Sequence, residues 1–523
     1  MDPSIYRNRW QELRDGAGDA EALQELARQI AFSFVDGHFQ DGAYGSDYID
    51  LLCEMATSDA PAASGDIASA ALFGIIVEKL CDDFEDLPVE VYCRVMSQVI
   101  SYCRTVPAGR KLDARLAEFG LDSCDAIYRR AISVHTREPR GDRKKAPGRI
   151  VLLSRVTIGA DVAILSVMIQ RLRRLFPRTD MVVLGSRKLE DLFGGNPDVR
   201  IRELSYARRG GLFERFAAWH AALDVLREEL ADGEEDVLLI DPDSRISQLG
   251  VLPLTREENY LFFNTRDHML SANGRGMAEW TNEWIDAAFG EADFAYPTIW
   301  VPQTVMTSGK GMIDTLRAAG ARHIVAMNLG VGQNPRKRVD LEFEKRLLRA
   351  LASTPDTVVV LDRGFGADEE ERCSRLLADL REHGFTGAEA SFASAECPSL
   401  SHGVVAVSCG IGEMAALIAH SDEYIGYDSA CQHIAAAAGT PTLTVFAGSN
   451  NKNFVRRWSA CGDTDCRIVH VNTLSDTEHL DADEVVARVM RERESRTATG
   501  SGPAVREIRM GRMSETTREV SKR

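Results

Sequence analysis

No run of eighteen apolar residues occurs anywhere in the 523-residue chain, which argues against an ordinary membrane-spanning helix. No positively charged start followed by an apolar stretch marks a secretory leader. The protein is therefore expected in the cytoplasm, with contact to a membrane surface left open. Positive charge is in deficit: 62 Lys and Arg stand against 79 Asp and Glu, a formal net charge of −17. No nucleic-acid partner is expected, because phosphate binding needs a clustered basic surface; Arg171, Arg173 and Arg174 make one local basic cluster. Paired cysteine spacings are missing as well. The eleven cysteines form no repeated C-x-x-C framework and read as reduced core thiols. Cys461 and Cys466 (CGDTDC) have no second pair to complete a metal site and read as a plain loop. Neither G-x-G-x-x-G nor a Walker pattern is present, so dinucleotide and P-loop chemistry are not indicated.

What is present is a soluble globular composition, 44% hydrophobic and 27% charged, in a chain long enough for two or three domains. Residues 1–138 read as a helical N-terminal domain. Leu23, Leu26, Ala27, Ile30 and Phe34 recur at three- to four-residue spacing, and 68–80 and 89–102 repeat the pattern. The acidic group Glu78, Asp82, Asp83, Glu85 and Asp86 reads as a solvated helix end. No chemistry is found here, so acceptor recognition, oligomerisation and docking all stay open for this domain. Residues 139–148, polar, basic and containing proline, read as a linker.

From 149 to 322 the pattern changes to strand, glycine turn, helix, strand: 150–153 (IVLL), Ser154 to Asp161, a helix over 162–176, then 181–184 (MVVL). This is the opening of a doubly wound parallel sheet, whose ligands bind at the carboxyl ends of strands. Asp161 is a helix cap or a base. A strand at 236–240 leads to Asp241, Asp243 and Arg245; Arg155 and Arg245 suit either bidentate contacts to acceptor phosphates or carboxylates, or salt bridges. Residues 323–475 repeat the pattern, with strands at 323–329, 357–361, 424–427 and 442–446. Lys337 ends a basic loop, Glu369 lies in an acidic helix start, and Asp428 and Ser429 read as N-caps of the helix that carries His433. A helix over 476–494 is expected to pack back across the first sheet, and a tail over 495–523 is expected to be disordered.

Residues 424–446 resemble the signature of glycosyltransferase family 9, the bacterial heptosyltransferases, in which Asp-(Ser/Thr)-Gly-x-x-His opens the helix that holds the donor diphosphate. Asp428, Ser429 and His433 match, and Ala430 stands in place of the glycine. Gly159-Ala160-Asp161 is similar to the family's Gly-Asp pair with one residue inserted or the aspartate displaced by one, Lys337 matches a donor-binding lysine, with Arg336 and Arg338 as rivals for the role, and Glu369 matches a ribose-binding glutamate. The resemblance spans roughly residues 149–490. It implies the GT-B fold, two Rossmann-like domains facing across a cleft, here preceded by the helical domain. It also implies inverting, metal-independent transfer of a sugar, with ADP-heptose the favoured donor, to a hydroxyl of a glycan, glycolipid, protein or metabolite acceptor, with no cofactor. On this resemblance Asp161 takes the acceptor proton, Lys337, the Ser429–Ala430 backbone and His433 hold the diphosphate, and Glu369 grips the ribose. Asp241-Pro242-Asp243 is a formal D-x-D on the presumed acceptor half. A nucleotide-sugar epimerase of the same fold and a non-catalytic nucleotide- or partner-binding descendant are the alternatives.

Overall fold

The computed structural model describes residues 2–16, 19–59, 61, 63–78, 80, 89–139, 146–207, 210–230, 236–266, 275–332, 334–394, 396–474 and 480–498. The N-terminal region is helical: Pro3–Asp15, Ala20–Asp41, Ser46–Ala56, Ser64–Ala71, Val89–Thr105, Arg110–Glu118 and Cys124–Thr136. Local chemistry sets the ends. Asp2 accepts from the Ser4 amide with Pro3 in the first turn, Asp19 accepts from Glu21, and Gly42 stops the second helix at φ 64°, a conformation that costs glycine nothing. The acidic residues Asp82, Asp83, Glu85 and Asp86 lie outside the described residues, as do 140–145 of the expected linker.

Two all-parallel sheets follow, the GT-B architecture that the resemblance implied. The first has the order β3-β2-β1-β4-β5, with β1 Arg149–Leu153, β2 Asp180–Gly185, β3 Val199–Glu203, β4 Val237–Asp241 and β5 Tyr260–Phe262. The second has the order β12-β11-β10-β6-β7-β9-β8. Its strands are β6 His323–Asn328, β7 Thr357–Asp362, β8 Gly387–Ser391, β9 Gly403–Ser408, β10 Glu423–Tyr427, β11 Thr442–Phe446 and β12 Cys466–His470. Successive side chains of a strand point to opposite faces. Ile150 and Leu152 of β1 therefore join a core shared with Ile324 and Ala326 of β6, whereas Val151 and Leu153 join a core continuous with the helical domain. Sheets covered on both faces need near-continuous apolar strands, which is what IVLL, MVVL and TLTVF supply.

The helical domain does not hang from the rest. Tyr92 Oη donates to Gln248 O at 2.9 Å, His135 Nε2 to Leu249 O at 2.7 Å, and Arg130 Nη1 to Gly250 O at 2.8 Å and Val251 O at 3.2 Å. Four successive carbonyls are thus held by one neighbouring domain. Gln248, Leu249 and Gly250 all have left-handed backbone, φ 51°, 55° and 83°, which costs a non-glycine residue roughly 1–2 kcal/mol and persists only under such external constraint.

Two expectations are corrected at the C-terminus. The last helix, Ala482–Ala498, packs on β11, β12 and the Leu341–Ala352 helix of the second sheet, not back across the first. It also runs through the first residues of the expected tail, because Arg496, 8% exposed, donates to Thr442 O at 2.9 Å and to Asp465 at 3.0 Å. Residues 499–523 lie outside the described residues. The basic cluster is corrected too. Arg171 is buried against Asp286 at 2.6 Å, Arg174 pairs with Asp293 at 2.6 Å, and Arg173 donates to the Pro177 carbonyl at 2.9 Å. Among the described residues no helix is long and apolar enough to cross a membrane.

Candidate active site

In a doubly wound sheet the ligand crevice opens at the carboxyl ends of the two strands where the winding reverses. In the second sheet these are β6 and β10. They end in Asn328 and Tyr427, and the next residues of β10 are Asp428 and Ser429. The sequence reading made these two the caps of the Ala430–Ala437 helix; Ser429 does hold the N-cap position, but neither side chain caps it. Ser429 holds the N-cap position without a side-chain capping bond and instead donates to Asn328 Oδ1 at 3.3 Å. Asp428, 5% exposed, pairs through Oδ2 with Lys337 Nζ at 2.6 Å and accepts Gln432 Nε2 on Oδ1 at 2.7 Å. With no side chain capping it, the helix keeps its first N–H groups for an anion at the positive end of its dipole.

Lys337 reaches this point from a short turn, Pro335–Lys337, which Asn334 caps by accepting from Arg336 N at 3.2 Å. Its ammonium has three donors, of which Asp428 Oδ2 takes one, and it sits 5.6 Å from the Phe454 ring centroid. The neighbouring Arg338 is committed elsewhere, to Glu369 Oε1 at 3.0 Å. Glu369 Oε2 accepts the backbone N–H of Phe365 at 3.0 Å. Asn328 closes the group: its Nδ2 donates to Asp362 Oδ2 at 2.6 Å, a carboxyl whose pKa burial pushes up.

His433 lies in the first turns of the helix, buried, with its ring 6.2 Å edge-on from Trp458. Burial holds its pKa down at about 4, so at neutral pH it is an uncharged imidazole, a donor through one nitrogen only. It also touches the first sheet. A Cβ on Gly159 would stand 2.9 Å from His433 Cδ2 and 3.2 Å from Ala430 Cα. The absence of a side chain at 159 is what lets the helix starts at 158 and 430 abut.

On the first-sheet side, Asp161 is 1% exposed. Its carboxylate accepts Ser154 Oγ at 2.8 Å and the Arg155 amide at 2.8 Å, tying the end of β1 to the following helix. Asp161–Leu165 forms a π-helical turn between Ile158–Ala160 and the Ser166–Leu175 α-helix. Arg155 is not a surface side chain. Its Nη2 lies 3.2 Å from Asp243 Oδ2, its guanidinium 5.5 Å from the Trp458 ring centroid, and burial lowers its pKa to about 10. Asp243 also receives Thr265 Oγ1 at 2.6 Å and Arg266. Asp241 accepts Tyr260 Oη at 2.6 Å and the Ser244 amide at 2.7 Å, and burial raises its pKa to about 6. Both carboxylates of the formal D-x-D are thus engaged by protein donors. Arg245 lies on the same turn, partly exposed.

Lys337, Glu369, Asp428, Ser429, Ala430 and His433 therefore gather at the β6/β10 end, with the turn that carries Asp161 across the seam. The sequence reading missed the residues that cross the seam: Arg457 donating to Thr265 O at 3.1 Å, and Trp458 between Arg155 and His433. Spacing gives no signal for either contact.

The model of glycosyltransferase family 9 (heptosyltransferase) matches residues 385–461. None of the curated proteins matches the chain. Among solved structures, the chain is similar to the glycosyl transferase family 9 protein from Veillonella parvula DSM 2008, at 15% identity and a TM-score of 0.48 over 67% of this chain and 98% of that one. It is similar to E. coli heptosyltransferase WaaC with ADP, at 16% and 0.44 over 66% and 99%, and to E. coli ADP-heptose lps heptosyltransferase II, at 13% and 0.42 over 66% and 99%. The stretch that matches the glycosyltransferase family 9 (heptosyltransferase) model, residues 385–461, contains β10, Asp428, Ser429 and His433.

Proposed function

We propose that the protein transfers a sugar, with inversion and without a divalent metal, from a nucleoside diphosphate donor to an acceptor hydroxyl, ADP-heptose being the favoured donor. The observation that carries this reading is the uncapped helix start at Ser429–Ala430 beside Lys337, facing the Gly159–Asp161 turn across a van der Waals seam. The family's heptosyltransferase description favours heptose.

In this mechanism the diphosphate lies on the N–H groups of residues 430–432, with Lys337 neutralising the charge that builds as the sugar leaves. His433, neutral, offers one N–H. Glu369 accepts the ribose hydroxyls. Asp161 takes the acceptor proton, its carboxylate held in place by Ser154 Oγ and the Arg155 amide. Lys337 and the helix dipole supply positive charge where a metal would otherwise be needed, while Asp241 and Asp243 already spend theirs on protein donors. Arg245 and Arg155 are the acceptor-side cations.

The test is thermal unfolding of the purified protein with ADP-heptose, other ADP-sugars and UDP-sugars, followed by nucleotide release in the presence of candidate glycan, glycolipid and protein acceptors. Selective protection by ADP-heptose is expected. Equal, zero protection by all of them would sink the reading, and donor conversion without any acceptor would mark an epimerase instead.

A further inference from the structure

Phe365 is 94% exposed, far more than any other large hydrophobic residue described. It stands alone between Gly364 and Gly366, whose φ values of 86° and 89° are open to glycine and closed to most other residues. Two glycines in this state make the tip a place where backbone rotation is cheap. The loop lies against a shallow, open hollow of about 20 Å³ whose lining includes Gly364 and Glu369 together with Leu329, Leu361, Cys373 and Leu376. Leu361, Cys373 and Leu376 are all buried, so an apolar wall meets a carboxylate at the opening.

Glu369 connects the two features. One of its oxygens faces Arg338, and the other accepts the Phe365 amide at 3.0 Å. On the reading above, on which this inference rests, the same carboxylate accepts the ribose hydroxyls. A nucleobase is only one sugar ring away from those hydroxyls, so a donor held at Glu369 brings its base next to the Phe365 loop. An exposed phenyl ring and a flat heteroaromatic base both gain by removing apolar faces from water.

We propose that Phe365 is the nucleobase clamp of the donor site, turning about Gly364 and Gly366 to stack on the base of a nucleoside diphosphate that lies over the mouth of the hollow. The ligand class is a flat aromatic base attached to a ribose diphosphate. The clamp contributes binding, not chemistry.

Calorimetric titration of the full-length protein with ADP and with inorganic pyrophosphate tests this. Phe365→Ala is expected to weaken ADP roughly 10-fold while pyrophosphate binding stays at the wild-type value. Phe365→Trp is expected to keep ADP affinity and to gain an emission that ADP quenches beyond any change in the wild type. Because the side chain is exposed, both variants should melt with the wild type. If the wild type binds ADP and Phe365→Ala binds it equally well, the clamp is overturned while the donor reading stands. If the wild type binds neither ADP nor pyrophosphate, the donor reading fails first and takes the clamp with it.

Discussion

Lys337 Nζ lies 2.6 Å from Asp428 Oδ2, so the loop after β6 and the end of β10 are joined by an ion pair at the point where the second sheet reverses its winding. The pair gives the lysine a fixed position before any ligand arrives, and it leaves Asp428 dependent on Lys337 for neutralisation. Lys337→Met should therefore weaken ADP binding at least 10-fold, as expected for a lost charge-assisted contact to phosphate. It should also lower the melting temperature, because a nearly buried carboxylate loses its partner. The double variant Lys337→Met with Asp428→Asn should regain melting temperature without regaining ADP affinity. Recovery of both would show that the lysine serves the fold alone.

Asp161→Asn should reduce transfer by on the order of 10²- to 10⁴-fold with ADP affinity unchanged. It also sets an amide against two donors, Ser154 Oγ and the Arg155 amide, so some stability is lost, about 1–3 kcal/mol. Ser154→Ala removes one of those donors and isolates the structural share. Transfer rates that fall equally in Ser154→Ala and Asp161→Asn would count against the proton-acceptor role.

Gly159→Val places branched carbons where even a single Cβ would stand 2.9 Å from His433 and 3.2 Å from Ala430 Cα. Backbone cannot give way as a flexible side-chain end can, so the two helix starts must separate. The expected result is loss of transfer together with weaker ADP binding, because the obstruction displaces the Ala430 helix start and His433. Equal activity in Gly159→Val and wild type would mean that the closed seam is irrelevant to turnover.

Burial holds His433 near pKa 4 against about 6.5 in an unfolded chain. Between those values the unfolded state binds the extra proton, so this residue's contribution is complete above pH 6.5 and is lost as pH falls toward 4. The difference in unfolding free energy between wild type and His433→Gln should therefore shrink by roughly 3 kcal/mol over that interval, measured by urea denaturation at a series of pH values. Comparing the two proteins cancels His135, also held near 4 by burial, and Asp241, which burial shifts the opposite way. A difference that does not vary with pH would place a charged imidazole in the folded state.

Which parts of this molecule could be read from its residues follows from burial. β1, β2, β4, β6, β7, β10 and β11 are covered on both faces and announce themselves as apolar runs. The edge strands β3 (VRIRE) and β8 (GAEAS) are half-exposed and polar, so their residues carry no such mark. β9 (GVVAVS) is buried but passes straight into the glycine-rich helix start after it, and no strand was assigned there. Asp428, Lys337 and Glu369 were legible through the order of motifs, not through spacing. What spacing could not supply was pairing: Arg155 finds Asp243 across 88 positions, and Arg457 finds Thr265 across 192. The same blindness turned the side chains of Asp428 and Ser429 into caps, because a residue type suited to capping is equally suited to an ion pair or a hydroxyl bridge.

The grip of Tyr92, Arg130 and His135 on carbonyls 248–251 has a further consequence for how this chain can be cut or recombined. The first 138 residues act as a mould rather than as a passenger: the contour of the turn running from Asp243 to Val251 exists only while they press on it. A truncated chain starting at 146, or a chimera carrying a different leading segment, would keep the β6/β10 end of the second sheet and lose the shape of the turn that, on the proposed function, faces the acceptor.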